Sequence, residues 1–180
     1  MKLVASLQPD TSSREIGSMA VWSVTSAKPG NGVELLRDGR DDTYWQSDGA
    51  QPHLVNVAFQ KKVHLSEVAI YTDFKLDESY TPTKISIRVG NSFSDLREVR
   101  LIEMSEPQGW LVVRLPSEEE PATCLKGFML QVAVLANHQS GRDTHLRQVR
   151  VFGPRCDAAK TLGHEVGFTS PQFAAYSAVR

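Results

Sequence analysis

His138, Asp143 and His145 fall within eight residues of one another, and two imidazoles with a carboxylate are zinc-ligand types. Their spacing matches no helix face, so a loop would have to fold tightly on itself to bring all three to one ion. As hydrogen-bonding loop residues they need no such convergence, and that is the reading the spacing favours. Nucleophilic chemistry has less behind it. Ser47, Ser140, Cys124 and Cys156 lack a nucleophile-elbow context such as G-x-S-x-G, and Ser47-Asp48-Gly49 reads as a turn. A Ser–His–Asp set that meets only in space leaves no mark in a sequence. The two cysteines show no zinc spacing and make no disulfide framework. The expectation is a protein without a catalytic centre, a metal or a cofactor.

The same residues make more sense as a binding loop. Positions 137–145 read Asn-His-Gln-Ser-Gly-Arg-Asp-Thr-His, nine polar or glycine residues in a row. They follow a nearly unbroken apolar run, 128–136, and precede an alternating segment, 146–152; both patterns predict buried strands. Gly141 is expected to supply a backbone angle that other residues resist. Asn137, Arg142, Asp143 and His145 offer donors and acceptors of both signs. Polar loops held by rigid strands are where binding usually resides. This one suits an extended peptide, with Arg142 and Asp143 ordering the loop and Asn137 and His145 hydrogen-bonding the ligand.

The elements that position the loop are strands. Alternation is cleanest over 84–89, where Ile85, Ile87 and Val89 line one face and Lys84, Ser86 and Arg88 the other. It recurs over 20–26, 53–59, 65–72, 97–104 and 110–115, with turn residues between. About eight short strands and almost no helical periodicity predict an all-β sandwich or jelly roll. A helical turn is expected only near 33–37. Residues 1–13 read as a flexible arm, 14–154 as the sandwich, and 155–180 as a tail of low pattern in which Ser170-Pro171 could cap a short helix.

Other constellations have plainer uses. Tyr44, Trp45 and Tyr80 could form a sugar-stacking platform, which makes a carbohydrate-binding module the rival reading. Trp45 is better placed as a core plug, and Tyr80 is left open. The segment 73–82 reads as a charged loop, from which Asp77 and Glu78 could attract a basic partner with roughly 0–1 kcal/mol per exposed pair. A formal charge of −1 gives no electrostatic footprint for nucleic acid. No apolar run approaches the ~18 residues of a membrane span. The N-terminal residues show no long apolar core of the signal-peptide kind, so cytosol or nucleus is expected.

Several motifs are specific. Arg14-Glu15-Ile16-Gly17, Ala20-Val21-Trp22-Ser23, Lys28-Pro29-Gly30, Tyr44-Trp45-Gln46-Ser47-Asp48-Gly49, Gln51-Pro52-His53, Asp77-Glu78-Ser79-Tyr80-Thr81-Pro82 and the 137–145 loop together resemble the Doc-domain subunit of the anaphase-promoting complex. The resemblance covers roughly 14–154. It implies a galactose-binding-like jelly roll and a non-catalytic subunit of a nuclear and cytoplasmic ubiquitin ligase. It implies a role in processivity, as co-receptor with a WD-repeat propeller coactivator for the destruction box, a linear R-x-x-L degron. Motif by motif, it carries that role to Ser47, Asp48 and Gln51, to Asp77, Glu78 and Tyr80, and to Asn137, His138, Arg142, Asp143 and His145. It also implies that Val179 and Arg180 dock into a tetratricopeptide-repeat scaffold subunit. The family ends in Ile-Arg or a close variant, and Val179 is shorter by a methylene worth about 0.8 kcal/mol when buried.

Overall fold

The structure, a computed structural model, describes the backbone of Lys2–Val4 and residues 13–115 and 124–155. Its strands are β1 (Lys2–Val4), β2 (Ser13–Glu15), β3 (Ala20–Val24), β4 (Trp45–Gln46), β5 (His53–Leu65), β6 (Glu67–Asp73), β7 (Pro82–Gly90), β8 (Arg97–Glu103), β9 (Gln108–Arg114), β10 (Leu125–Asn137), β11 (His145–Leu146) and β12 (Gln148–Pro154). They form two five-stranded sheets, β1-β9-β6-β12-β2 and β3-β5-β10-β7-β8, and a two-stranded ribbon, β11-β4. Every pairing is antiparallel. Among the described residues no helix is long and apolar enough to cross a membrane.

The alternation seen in the sequence is what packs the two sheets. Val55 and Val57 of β5, Ile85 and Ile87 of β7, and Leu130, Val132 and Val134 of β10 meet Val68 and Ile70 of β6, Leu111 of β9 and Val151 of β12 in one buried cluster. Trp45 lies in the same cluster, fully buried, and its indole N–H donates to the Ser26 carbonyl at 2.9 Å. It plugs the core, as its context suggested.

The differences from the expected strands have local causes. The segment at 53–59 runs on to Leu65, because pairing with β10 resumes at Val63, His64 and Leu65 beyond a register slip that leaves Gln60, Lys61 and Lys62 exposed. Alternation breaks there although the strand does not. Strands of two or three residues, β1, β2, β4 and β11, are too short to show a period. Lys2–Val4 pairs with β9 and Ser13 opens β2, so the stretch read as an arm carries sheet pairing at both ends. The helical turn near 33–37 is a 3-10 turn, Val33–Leu36. Residues 155–180, including Val179 and Arg180 and the cap at Ser170-Pro171, lie outside the described residues apart from Arg155.

Candidate functional site

Three segments close one end of the sandwich: the residues after β4, the turn between β6 and β7, and the loop between β10 and β11. The middle one, expected as a plain charged loop, is built as one α-helical turn, α1 (Phe74–Asp77), followed by a 3-10 turn, Glu78–Tyr80. Asp73 starts it, its carboxylate accepting from the Lys75 N–H at 3.0 Å, which satisfies a backbone donor that no helical carbonyl can reach.

Beneath this turn lies an ion pair absent from the sequence reading. Arg147 donates from Nε to Asp77 Oδ2 at 2.9 Å and from Nη2 to Asp77 Oδ1 at 2.8 Å. Its Nη1 donates to the Asp41 carbonyl at 2.8 Å. Two parallel bonds between a guanidinium and a carboxylate fix orientation as well as charge. His145 Nδ1 sits 3.0 Å from Asp77 Oδ1. The His145 ring lies between Tyr44, centroids 4.1 Å apart, and Tyr80, at 4.2 Å. Burial alone would push the Asp77 carboxyl up, but hydrogen bonds from His145 and Arg147 and the positive charge of Arg147 hold it below the ordinary carboxylate value.

The outer loops are tied together by backbone groups. Ser47 Oγ accepts from the Thr144 N–H at 2.8 Å, and the Ser47 N–H donates to the Thr144 carbonyl at 3.1 Å. Asn137 Nδ2 donates to the carbonyls of Asp143, at 2.7 Å, and Gly141, at 3.2 Å. Gln51 Nε2 also donates to the Gly141 carbonyl, at 3.0 Å, and His53 Nε2 lies 2.7 Å from the Arg142 carbonyl. Asp143 pairs with Lys28 at 3.1 Å. The Thr144 hydroxyl reaches the Tyr80 carbonyl at 3.3 Å and the His138 N–H the Thr81 carbonyl at 2.9 Å.

Gly141 has an ordinary backbone, φ −56°, so the expectation of an unusual angle there is corrected. Its lack of a side chain matters because the Ser79 carbonyl occupies the space a Cβ would fill. The left-handed angles fall on Gln139 (φ 52°) and Ser140 (φ 57°) instead.

A model of the family described as "Anaphase-promoting complex, subunit 10" matches residues 4–178. The Drosophila melanogaster protein of that name is 55% identical over 141 residues, 78% of this chain and 71% of its own length. The Homo sapiens protein is 51% identical over 167 residues, 93% of this chain and 88% of its own. The chain belongs to the anaphase-promoting complex subunit 10 family. Among solved structures, the family 32 CBM of Clostridium perfringens NanJ in complex with galactose superposes with a TM-score of 0.64, covering 78% of this chain and 98% of that one at 17% identity. That likeness concerns the fold alone, a galactose-binding-like jelly roll.

Within this member of the subunit 10 family, the candidate residues divide by exposure. Ser47, Asp77, Asn137 and His145 are buried, at 0, 4, 6 and 7%; the bonds of Ser47, Asp77 and His145 run between segments, and those of Asn137 hold its own loop closed. The expectation that Asn137 and His145 would hydrogen-bond a ligand does not fit that burial; they brace the rim. Asp48, Gln51, Glu78, Tyr80 and Arg142 are exposed, while His138, its ring tilted against Phe74 with centroids 4.7 Å apart, and Asp143 are half-buried. The zinc reading also fails on direction: His138 faces Phe74, Asp143 faces Lys28 and His145 faces Asp77. Of the three aromatics considered for a sugar platform, Trp45 is core, Tyr44 is half-buried against His145, and only Tyr80 presents a ring, 38% exposed. Arg147 and Lys28 were missed because their partners lie 70 and 115 residues away, and a one-dimensional pattern carries no trace of such pairings.

Proposed function

We propose that this rim is the destruction-box shelf of an anaphase-promoting complex subunit. A degron bridges from it to a WD-repeat propeller coactivator. The propeller takes the Arg and Leu of R-x-x-L, and the shelf takes the residues that follow. One observation supports this most: a ring of exposed polar side chains, Asp48, Gln51, Glu78 and Arg142, is mounted on loops fixed from beneath by a buried ion pair. Such a surface is already ordered before a peptide arrives, which removes part of the entropic cost of binding.

Each half of the receptor binds weakly. Joining them makes the second contact intramolecular and raises avidity by roughly 10²–10⁴. Slower release means more ubiquitin transfers per encounter, since affinity changes fall mainly on the off-rate. The subunit itself carries no catalytic step. It works in the nucleus and cytoplasm, and Val179 and Arg180 dock into a tetratricopeptide-repeat scaffold subunit. The rival sugar-binding reading loses support because Trp45 and Tyr44 turn inward.

Charge reversal at Arg142 and Glu78 together is expected to cut the residence time of a destruction-box substrate on the reconstituted complex by roughly tenfold. Ubiquitin chains should shorten while the thermal midpoint of the subunit stays unchanged. Unaltered chain length with normal incorporation of the variant would refute the shelf.

A further inference from the structure

The first two strands lie at opposite edges of one sheet, β1-β9-β6-β12-β2. Val4 of β1 stands opposite Trp110, Trp110 opposite Tyr71, and Tyr71 opposite Gln148. Ser13 of β2 stands opposite Pro154. Val4 is therefore level with the start of β12 and Ser13 with its end. Four strand spacings of about 4.8 Å across and six residues of about 3.4 Å along put these two points roughly 28 Å apart. Nine Cα–Cα steps join them, and a fully extended chain of that length spans at most about 30–32 Å. A detour round either end of the strands exceeds that reach. The inner face is filled by the second sheet. The connection must run diagonally over the outer face, and nearly straight.

Under that diagonal lies a second apolar cluster: Trp110 of β9, Ala69 of β6 and Phe152 of β12, with Val112 and Tyr71 beside them. Their strand neighbours Leu111, Ile70 and Val151 belong to the main core, so alternation turns the cluster outward. Trp110 and Phe152 are nonetheless only 7% and 5% exposed, and no apolar side chain from another described element joins them. Positions 5–12 read Ala-Ser-Leu-Gln-Pro-Asp-Thr-Ser. Apolar residues fall at 5, 7 and 9 and polar ones at 6, 8 and 10, which gives an extended segment one apolar side. Pro9 suits a segment that crosses strands rather than pairing with one, because it has no N–H to place.

We propose that residues 5–12 occupy this outer face as a nearly extended strap, with Leu7 and Pro9 laid on the diagonal from Trp110 through Ala69 to Phe152. The strap ties the two edges of the sheet together. It also takes the aromatic face for the chain itself, so other subunits of the complex must dock elsewhere on the domain. This inference is independent of the degron reading of the rim.

The test uses the full chain with photo-leucine in place of Leu7. The expected crosslinks are within one chain, to 110–112, 67–71 or 148–152. Leu7→Asp should lower the thermal midpoint by about 3–8 °C, whereas Gln8→Asp, on the polar side, should leave it within about 2 °C. Crosslinks confined to other segments, or none, would overturn the strap. Crosslinks between chains, with a dimer in solution, would give the face to a second copy and overturn it as well. Equal midpoints for the two aspartate variants would remove the apolar contact on which the proposal stands.

Discussion

Replacing Asp77 with alanine is expected to destabilise the protein by about 3–5 kcal/mol, read as a lower urea midpoint at unchanged m-value. The substitution leaves the Arg147 guanidinium, 4% exposed, without its carboxylate, and an uncompensated buried charge is among the costliest defects a fold can hold. Arg147 would keep only the Asp41 carbonyl and the face of Tyr44, 5.4 Å from the ring centroid. His145 would lose its acceptor and the aromatic stack its anchor. Replacing both Asp77 and Arg147 with apolar residues of similar volume should recover most of the stability but none of the rim order. The pH dependence has a definite sign. The folded-state pKa of Asp77 is depressed, so its contribution is fully present above the unfolded value of about 3.9. That contribution is lost as pH falls through the folded value. The acid limb of the stability profile should therefore be shallower for Asp77→Asn than for the wild type. A loss below about 1 kcal/mol on Asp77→Ala would place the pair among weak surface contacts.

Gly141→Ala should cost about 1–3 kcal/mol and separate two of the three rim segments. A Cβ there would overlap the Ser79 carbonyl oxygen and come within 3.2 Å of the His138 carbonyl oxygen. Both obstacles are backbone, so neither can rotate away. With φ at −56° alanine fits the local conformation, and by restricting the unfolded chain it would otherwise add roughly 0.4–1 kcal/mol. The net destabilisation is thus the cost of the clash less that gain, so it understates the clash. Moving the loop would also break the bonds that Gln51 and Asn137 make to the Gly141 carbonyl. Gly30→Ala is the contrasting control: nothing lies within 4 Å of its Cβ position but φ is +84°, so its cost comes from the backbone and should leave the rim intact. Crosslinking or amide exchange at 138–142 distinguishes the two. Unchanged protection of that loop in Gly141→Ala would mean that the close approach to Ser79 does not hold the rim together.

The strands that build the core were legible because their side chains obey a two-residue period, as at Ile85, Ile87 and Val89. The unbroken run in β10 was legible because that strand is covered on both faces: Leu130, Val132, Ala133 and Val134 are all fully buried. The polar loop after it could be located from the same patterning. What its residues do there was not legible. Asn137 and Arg142 look equally available in a sequence, yet one is a brace and the other faces water. The two-residue ribbon that seats His145 opposite Gln46 has no period to read. The α1 turn ran against expectation, because Asp77 is inward only by virtue of an arginine 70 positions later. Glycine at 141 was noticed for the wrong reason: proximity demands it, and proximity is a property of two segments, not of one.

The shared-ligand account is tested most directly by site-specific crosslinking from position 50, an exposed alanine between Asp48 and Gln51. A photoreactive residue replaces Ala50, which leaves the shelf's polar side chains in place, and a destruction-box peptide is added to the assembled complex with and without the propeller coactivator. The account predicts a strong crosslink to the residues just after the R-x-x-L Leu when the coactivator is present, and a faint one when it is absent. Equal labelling with a peptide whose Arg and Leu are both replaced by alanine, or none under either condition, would contradict it.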